Sequence, residues 1–255
     1  MHGAHNDFVV LDHGANGAVD LVAFARWACD RRGGLGADGV IALEASDVAD
    51  ARMRTINADG SEAEMCGNGV RCAARYLDEA ERRDTIVFDT IAGPIATQIV
   101  ERGSQYAIRA AMGVPNVSEV QLDGFDKACF VDMGNPHVVV SCDDPERVDL
   151  DALAQRLQRD PRFAEGTNVH LASVQLDGRL RVRHWERGVG QTQACGTGAV
   201  ACAAVAISCG LVASPVDVDV PGGRLSVAWD GSHEAYLTGP AVRVFDADID
   251  VSFLR

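Results

Sequence analysis

Lysine is all but missing from the 255-residue chain: Lys127 is the only one, with no phosphate cradle near it. That argues against pyridoxal chemistry, which needs a Schiff-base lysine. Basic clusters are missing too. With 23 Lys and Arg against 37 Asp and Glu, the net charge of −14 repels nucleic acid and anionic membranes. No apolar run approaches the roughly 18–20 residues of a membrane span, and MHGAHNDF at the start has neither a basic region nor a signal core. The eight cysteines contain no Cys-x-x-Cys pair and no histidine partners at zinc spacing, which argues against a structural metal. Without a secretory signal, a disulfide framework is not expected either. The expectation is a cytoplasmic protein with reduced thiols and no cofactor, metal, nucleic-acid or membrane partner.

What is present is periodic. Alternating and β-branched runs predict strands over 8–11, 40–43, 52–56, 85–90, 95–100 and 106–110, with helices over 19–32 and 66–77. After a less regular stretch the scheme recurs, with strands over 128–133, 138–141, 169–175 and 180–185 and helices over 150–159 and 196–209. Hairpin strands over 216–220, 224–229 and 235–237 follow, turned by Pro221-Gly222-Gly223 and Asp230-Gly231. Each half holds a lateral helix and one glycine-opened, alanine-rich helix (Ala73, Ala74; Ala199, Ala203, Ala204). Such small side chains suit a helix enclosed by a curved sheet. The reading is an α/β protein of two similar domains, 1–113 with Cys66 and 114–240 with Cys195. A tail over 241–255 returns to the first.

One motif misleads. Gly34-Leu-Gly-Ala-Asp-Gly39 satisfies the dinucleotide pattern, but that pattern needs a strand before it and a helix after it. Here a helix precedes and a strand follows, so the glycines are expected to end the helix and turn the chain.

The twin motifs Cys66-Gly-Asn-Gly and Cys195-Gly-Thr-Gly carry the chemistry. A helix N-terminus offers unpaired N–H groups and about half a positive charge. Adjacent glycines let an anion come close, and a cysteine there has its thiolate favoured. One such motif would read as a buried structural cysteine, and Cys72 and Cys202, inside the helices, read that way. Two copies, one per domain, point to a pair. One thiolate would remove an α-proton from one face of a substrate while the other thiol protonates the opposite face. Fixed N–H donors would stabilise the carbanion as it spreads into the carboxylate.

At these residues the sequence resembles the diaminopimelate epimerase family. The likeness runs nearly end to end, through HGAHNDFV, GLGADGVI, NADGSEAEMCGNGVRC, MGNPHVVV, EGTNVH, WERGVGQTQACGTGA and VPGGRL. It implies two pseudo-symmetric α/β domains, each a curved, mostly antiparallel sheet around a central helix. The active site would lie in the interdomain cleft of a homodimer's subunit, without cofactor. The implied activity interconverts LL- and meso-diaminopimelate on the route to lysine, with Cys66 and Cys195 as acid and base. Gly67, Asn68, Gly196 and Thr197 would hold the reacting carboxylate, and Asn6, Asn57, Asn135 and Asn168 would line the site. Glu186 and Arg187 would bind the substrate's charged groups, with His137 assisting. A ligand that is a zwitterion at each end suits an arginine fork, a carboxylate and several amides.

Four positions depart from the family pattern: His5 and Gln191 stand where glycine and glutamate are usual, Gly39 where some members have a substrate-contacting glutamine, and Phe245 where some have a dimer-contact tyrosine. The rivals are the same chemistry on histidine, proline or hydroxyproline, a thiol nucleophile at Cys195 activated by His184 or His137, and a redox-sensing cysteine pair.

Overall fold

Aspartate caps the lateral helix of each half and cysteine caps the central one, and the whole fold repeats around that contrast. The computed structural model describes residues 1–14, 19–104 and 106–252. The chain divides into two units, Met1–Ala110 with Gly239–Arg255, and Ala111–Thr238.

The first unit runs β1 (His2–Gly3), β2 (Asn6–Asp12), α1 (Leu21–Ala28), β3 (Gly39–Glu44), β4 (Ala51–Asn57), β5 (Glu62–Ala63), α2 (Gly67–Ala80), β6 (Thr85–Thr90), β7 (Gly93–Glu101) and β8 (Ala107–Ala111). Strands β2 and β3 pair in parallel, β3 and β4 antiparallel, β4 and β6 in parallel, and β6 and β7 antiparallel.

The second unit opens with an extra strand, β9 (Asn116–Glu119). It then runs β10 (Ala128–Asp132), β11 (Pro136–Ser141), α3 (Leu150–Gln158), β12 (Asn168–Val174), β13 (Leu180–Glu186), β14 (Gly190–Thr192), α4 (Gly196–Ser208), β15 (Val216–Val220), β16 (Gly223–Ala228) and β17 (Tyr236–Pro240). Its pairings repeat the first unit's: β11–β12 parallel, β12–β13 antiparallel, β13–β15 parallel, β15–β16 antiparallel. The pairings β1–β2, β4–β5 and β7–β8 in the first unit and β9–β10, β10–β11, β13–β14 and β16–β17 in the second are all antiparallel, so the strands of each unit are mixed with antiparallel pairs in the majority.

The central strands show why the repeat folds this way. Both β3 and β12 are buried on both faces, because each is covered by the lateral helix on one side and the central helix on the other. In β3, Val40 and Ala42 pack with Leu21, Phe24 and Ala28 of α1. In β12, Val169 and Leu171 pack with Leu150, Leu153 and Leu157 of α3. The intervening residues Ile41 and His170 point the other way. A Cβ added to Gly69 would lie 2.7 Å from Ile41 Cδ1, and one added to Gly198 only 2.5 Å from His170 Cε1. The glycines of the two cysteine motifs are what let α2 and α4 settle onto the strands.

Helix α1 is shorter than the expected 19–32. It stops at Ala28, and Asp30 Oδ1 accepts from the amides of Arg32 and Gly33. The C-cap is Cys29, ahead of the glycines, and a Cβ on Gly34 would fall 1.8 Å from Trp27 O, so this glycine lets the chain turn back against the helix end. The strands β1, β5 and β14, two or three residues long, escape sequence reading because they are too short for a period. Ala4 and His5 join β1 to β2 with φ of 51° and 63°, the left-handed pair of a tight hairpin that favours glycine.

Candidate active site

In the first unit, Cys66 is the N-cap of α2: its Sγ accepts from the Gly69 amide at 3.4 Å. The sulfur also donates to Asn6 Oδ1 at 3.8 Å, and Asn6 Oδ1 accepts from Asn68 Nδ2 at 3.1 Å. Asn6 Nδ2 donates to Asp38 Oδ2 at 2.8 Å, and Asp38 is held in turn by Arg31. Asn68 Oδ1 accepts from Arg71 at 2.9 Å. Every amide orientation follows from its ends, because arginine can only donate and a carboxylate can only accept. Asn57 is held within its own turn. It sits exposed at the end of β4 and donates to Ser61 Oγ at 3.0 Å.

In the second unit, Cys195 caps α4 and is 5% exposed. Its sulfur lies 3.6 Å from Thr197 Oγ1. Burial pushes the Cys195 thiol well above its ordinary range, the Glu186 carboxylate adds to that, and Thr197 with the Gly198 amide opposes it. Glu186 Oε1 accepts from the Thr192 hydroxyl at 2.5 Å. Asn168 links two loops, donating to Pro136 O at 3.0 Å and accepting from the Arg187 amide at 3.0 Å. The Arg187 guanidinium donates to Glu165 O at 2.6 Å. Gln191, by contrast, is spent on Asp151 and Arg183. Gly39 sits where an added Cβ would be 3.0 Å from Ile56 O.

Beneath α4 lies a feature that sequence reading caught only in part. His137, His170 and His184 form a buried chain. Asn135 Oδ1 meets His137 Nε2 at 2.8 Å, His137 Nδ1 meets His170 Nε2 at 2.8 Å, and His170 Nδ1 meets His184 Nδ1 at 2.9 Å. With the Asn135 oxygen accepting, each ring in turn donates toward Asn135, and all three stay neutral. Burial, the largest cause in each case, holds His137 and His184 down at about 3 and His170 well below its usual value. His170 closes the EGTNVH motif but was not singled out, and only the two-residue strand period hints that it faces α4. Arg71 was missed as well. Its one visible clue is its spacing of four and three residues from Gly67 and Asn68 along a helix.

Two cysteines capping glycine-opened helices in a duplicated mixed fold define a class. The fold is that of a probable proline racemase from Agrobacterium radiobacter (TM-score 0.71, 16% identity, 98% of this chain and 92% of that one). A Bacillus anthracis phenazine biosynthesis protein of the PhzF family is equally similar (TM-score 0.71, 17% identity, 92% and 91% covered). The chain belongs to the diaminopimelate epimerase family: that family's sequence model matches residues 1–118 and 129–244. Diaminopimelate epimerase of Rhizorhabdus wittichii is 42% identical over 99% of this chain and 94% of its own length. That of Sphingopyxis alaskensis is 40% identical, with 98% and 96% covered.

Proposed function

We propose that this chain interconverts LL- and meso-diaminopimelate, in lysine biosynthesis, by proton transfer between two cysteines and without a cofactor. The observation that carries the reading is the cap pair. Where this chain only needs a helix cap it uses Asp20 and Asp149, which are strong caps. At the two glycine-opened helices it uses cysteine, a poor cap but a competent proton carrier.

One sulfur, as thiolate, takes the α-proton, forming an S–H bond as the C–H bond breaks. The freed electron pair delocalises into the substrate carboxylate, where first-turn amides at Gly67–Asn68 and Gly196–Thr197 stabilise it. The other thiol returns a proton to the opposite face and is left as thiolate, so the centre inverts with no net redox change. Thr197 steadies the Cys195 sulfur, and the Asn135–His137 pair and Asn168 present amides to the ligand. Glu186 and Arg187 serve its charged groups, and Asn6 holds the Cys66 proton. Asn57 serves the site through the Asn57–Ser61 turn.

A homodimer is part of the same reading, supported by exposed Val244 and Phe245 on the C-terminal segment. So is a reducing cytoplasmic setting, supported by eight free thiols and by the absence, among the described residues, of a helix long and apolar enough to cross a membrane.

The test is proton NMR of LL-diaminopimelate in D₂O with reduced protein and no added cofactor. Loss of the α-proton signal with appearance of the meso form is expected, and Cys66→Ser or Cys195→Ser should each cut the rate about 10²–10⁴-fold. Exchange with proline, hydroxyproline or histidine but not diaminopimelate would move the assignment to another amino acid.

A further inference from the structure

Arg71 is fully buried, one turn into α2, and no acidic side chain pairs with it among the described residues. Its neighbours are treated differently: Arg75, one turn on, pairs with Glu79, and Arg102 pairs with Asp78. The Arg71 guanidinium instead donates to Gly67 O at 2.7 Å, Asn68 Oδ1 at 2.9 Å and Pro240 O at 3.3 Å. The β1–β2 hairpin seals it, since a Cβ on Gly3 would lie 3.1 Å from Arg71 Nη2 and 2.9 Å from Asn68 O. Burial lowers its hold on the proton, yet a guanidinium stays charged in proteins. A buried cation without a counter-charge is costly, so its retention under the cysteine turn calls for an anion that arrives there.

We propose that Arg71 is the fixed cation of the Cys66 turn, a positioning residue that locks Asn68 and Asn6 and stabilises the negative charge formed or bound at that helix N-terminus. Asn68 is the coupling element, because its oxygen is committed to Arg71 and its nitrogen to Asn6, whose oxygen meets the Cys66 sulfur. The other ionisable groups around the turn do not substitute for it. Asp38 is committed to Arg31, the N-terminal amine donates to Phe8 O, Arg75 is paired with Glu79, and burial pushes the Cys72 thiol up to about 12. His2 and His5, tilted against each other in the hairpin with ring centroids 5.0 Å apart, complete the set.

This inference rests on Cys66 working as a proton carrier, so its test reads thiol chemistry and not turnover. In a Cys195→Ser, Cys209→Ser background, the pH dependence of Cys66 alkylation is followed by peptide mass spectrometry. Arg71→Gln keeps a donor but removes the charge, and should slow alkylation at pH 7.5 about tenfold, equivalent to one pH unit in the profile. Arg71→Lys keeps the charge and should restore most of the rate. Equal profiles for all three proteins, or a Lys variant no better than Gln, would overturn the charge role.

A second comparison needs no change at Arg71. Cys66 carboxymethylated with iodoacetate should melt higher than Cys66 carboxamidomethylated with iodoacetamide, because only the first adduct brings an anion to the guanidinium. The opposite order would sink the proposal even if Arg71→Gln fails to fold.

Discussion

The turns at Cys66 and Cys195 share a backbone plan and differ in nearly every side chain beneath it. Strand pairing places Phe8, Ile41 and Thr55 in the first unit where His137, His170 and His184 lie in the second. The helices differ in the opposite sense, since the place five residues after the cysteine is Arg71 in α2 and Val200 in α4. The first turn therefore stands on strand residues that carry no ionisable group, with a buried cation in the helix. The second stands on neutral, hydrogen-bonded histidines, with the Glu186 carboxylate beside the sulfur and no cation in the helix. A duplicated scaffold thus gives two sulfurs opposite electrostatic surroundings, which suits the acid and base proposed above.

The largest expected difference is in thiol reactivity. At pH 7.5 Cys66, half-buried, should alkylate about a hundredfold faster than Cys195, whose thiol is held protonated by burial and Glu186. Peptide mass spectrometry measures both rates in one sample, and equal rates would erase the contrast.

Packing beneath the helices comes next. Gly198→Ala drives a methyl into the His170 ring, whereas Gly69→Ala clashes with the movable tip of Ile41 and otherwise makes ordinary contact with Cys66. In urea unfolding, Gly198→Ala should cost about 1–3 kcal/mol, more than Gly69→Ala, and His170→Ala should recover part of the Gly198→Ala loss.

Acid should separate the units as well. His137 and His184 are held at about 3 in the folded state against a usual 6.5, so the unfolded chain binds more protons between those values. Stability is then present above about pH 6.5 and lost on the way down, by about 1.4 kcal/mol per proton per pH unit. In the first unit the most strongly shifted carboxylate is Asp78, held below the usual range by Arg102 and Tyr106, so its contribution fades only at lower pH. Hydrogen exchange at pH 5 should show β11–β13 losing protection before β2–β4; simultaneous loss would contradict the contrast.

The smallest effect belongs to the hairpin over α2. His5→Gly relieves the left-handed φ of 63° and should stabilise the protein by less than about 1 kcal/mol, since the gain is offset by the looser unfolded chain. A thermal melt checks it.

Much of this was legible in the chain. Cys66 and Cys195 announce themselves because Cys-Gly-x-Gly before a helical run is a local pattern, and a cap depends only on local backbone. The strands from 39 to 57 and from 168 to 186 are equally local in origin, since β-branched runs of that length have few alternatives. The pairs Asn6–Asn68 and Asn168–Arg187 were named as site residues without any sign of which would touch. Asn57 was named in the same way, with no sign that it would donate to Ser61 within its own turn.

The sequence by itself determined the two cysteine-capped helices, the repeat of strands around them and the family, because each rests on short-range pattern and on the order of motifs. Only the tertiary structure decided what surrounds each sulfur. Arg71 became a cation without an anion among the described residues, and three histidines from three strands became one neutral chain, because burial and pairing depend on residues brought together from distant parts of the sequence. Charge in a protein interior is set by those neighbours, and no local pattern records them.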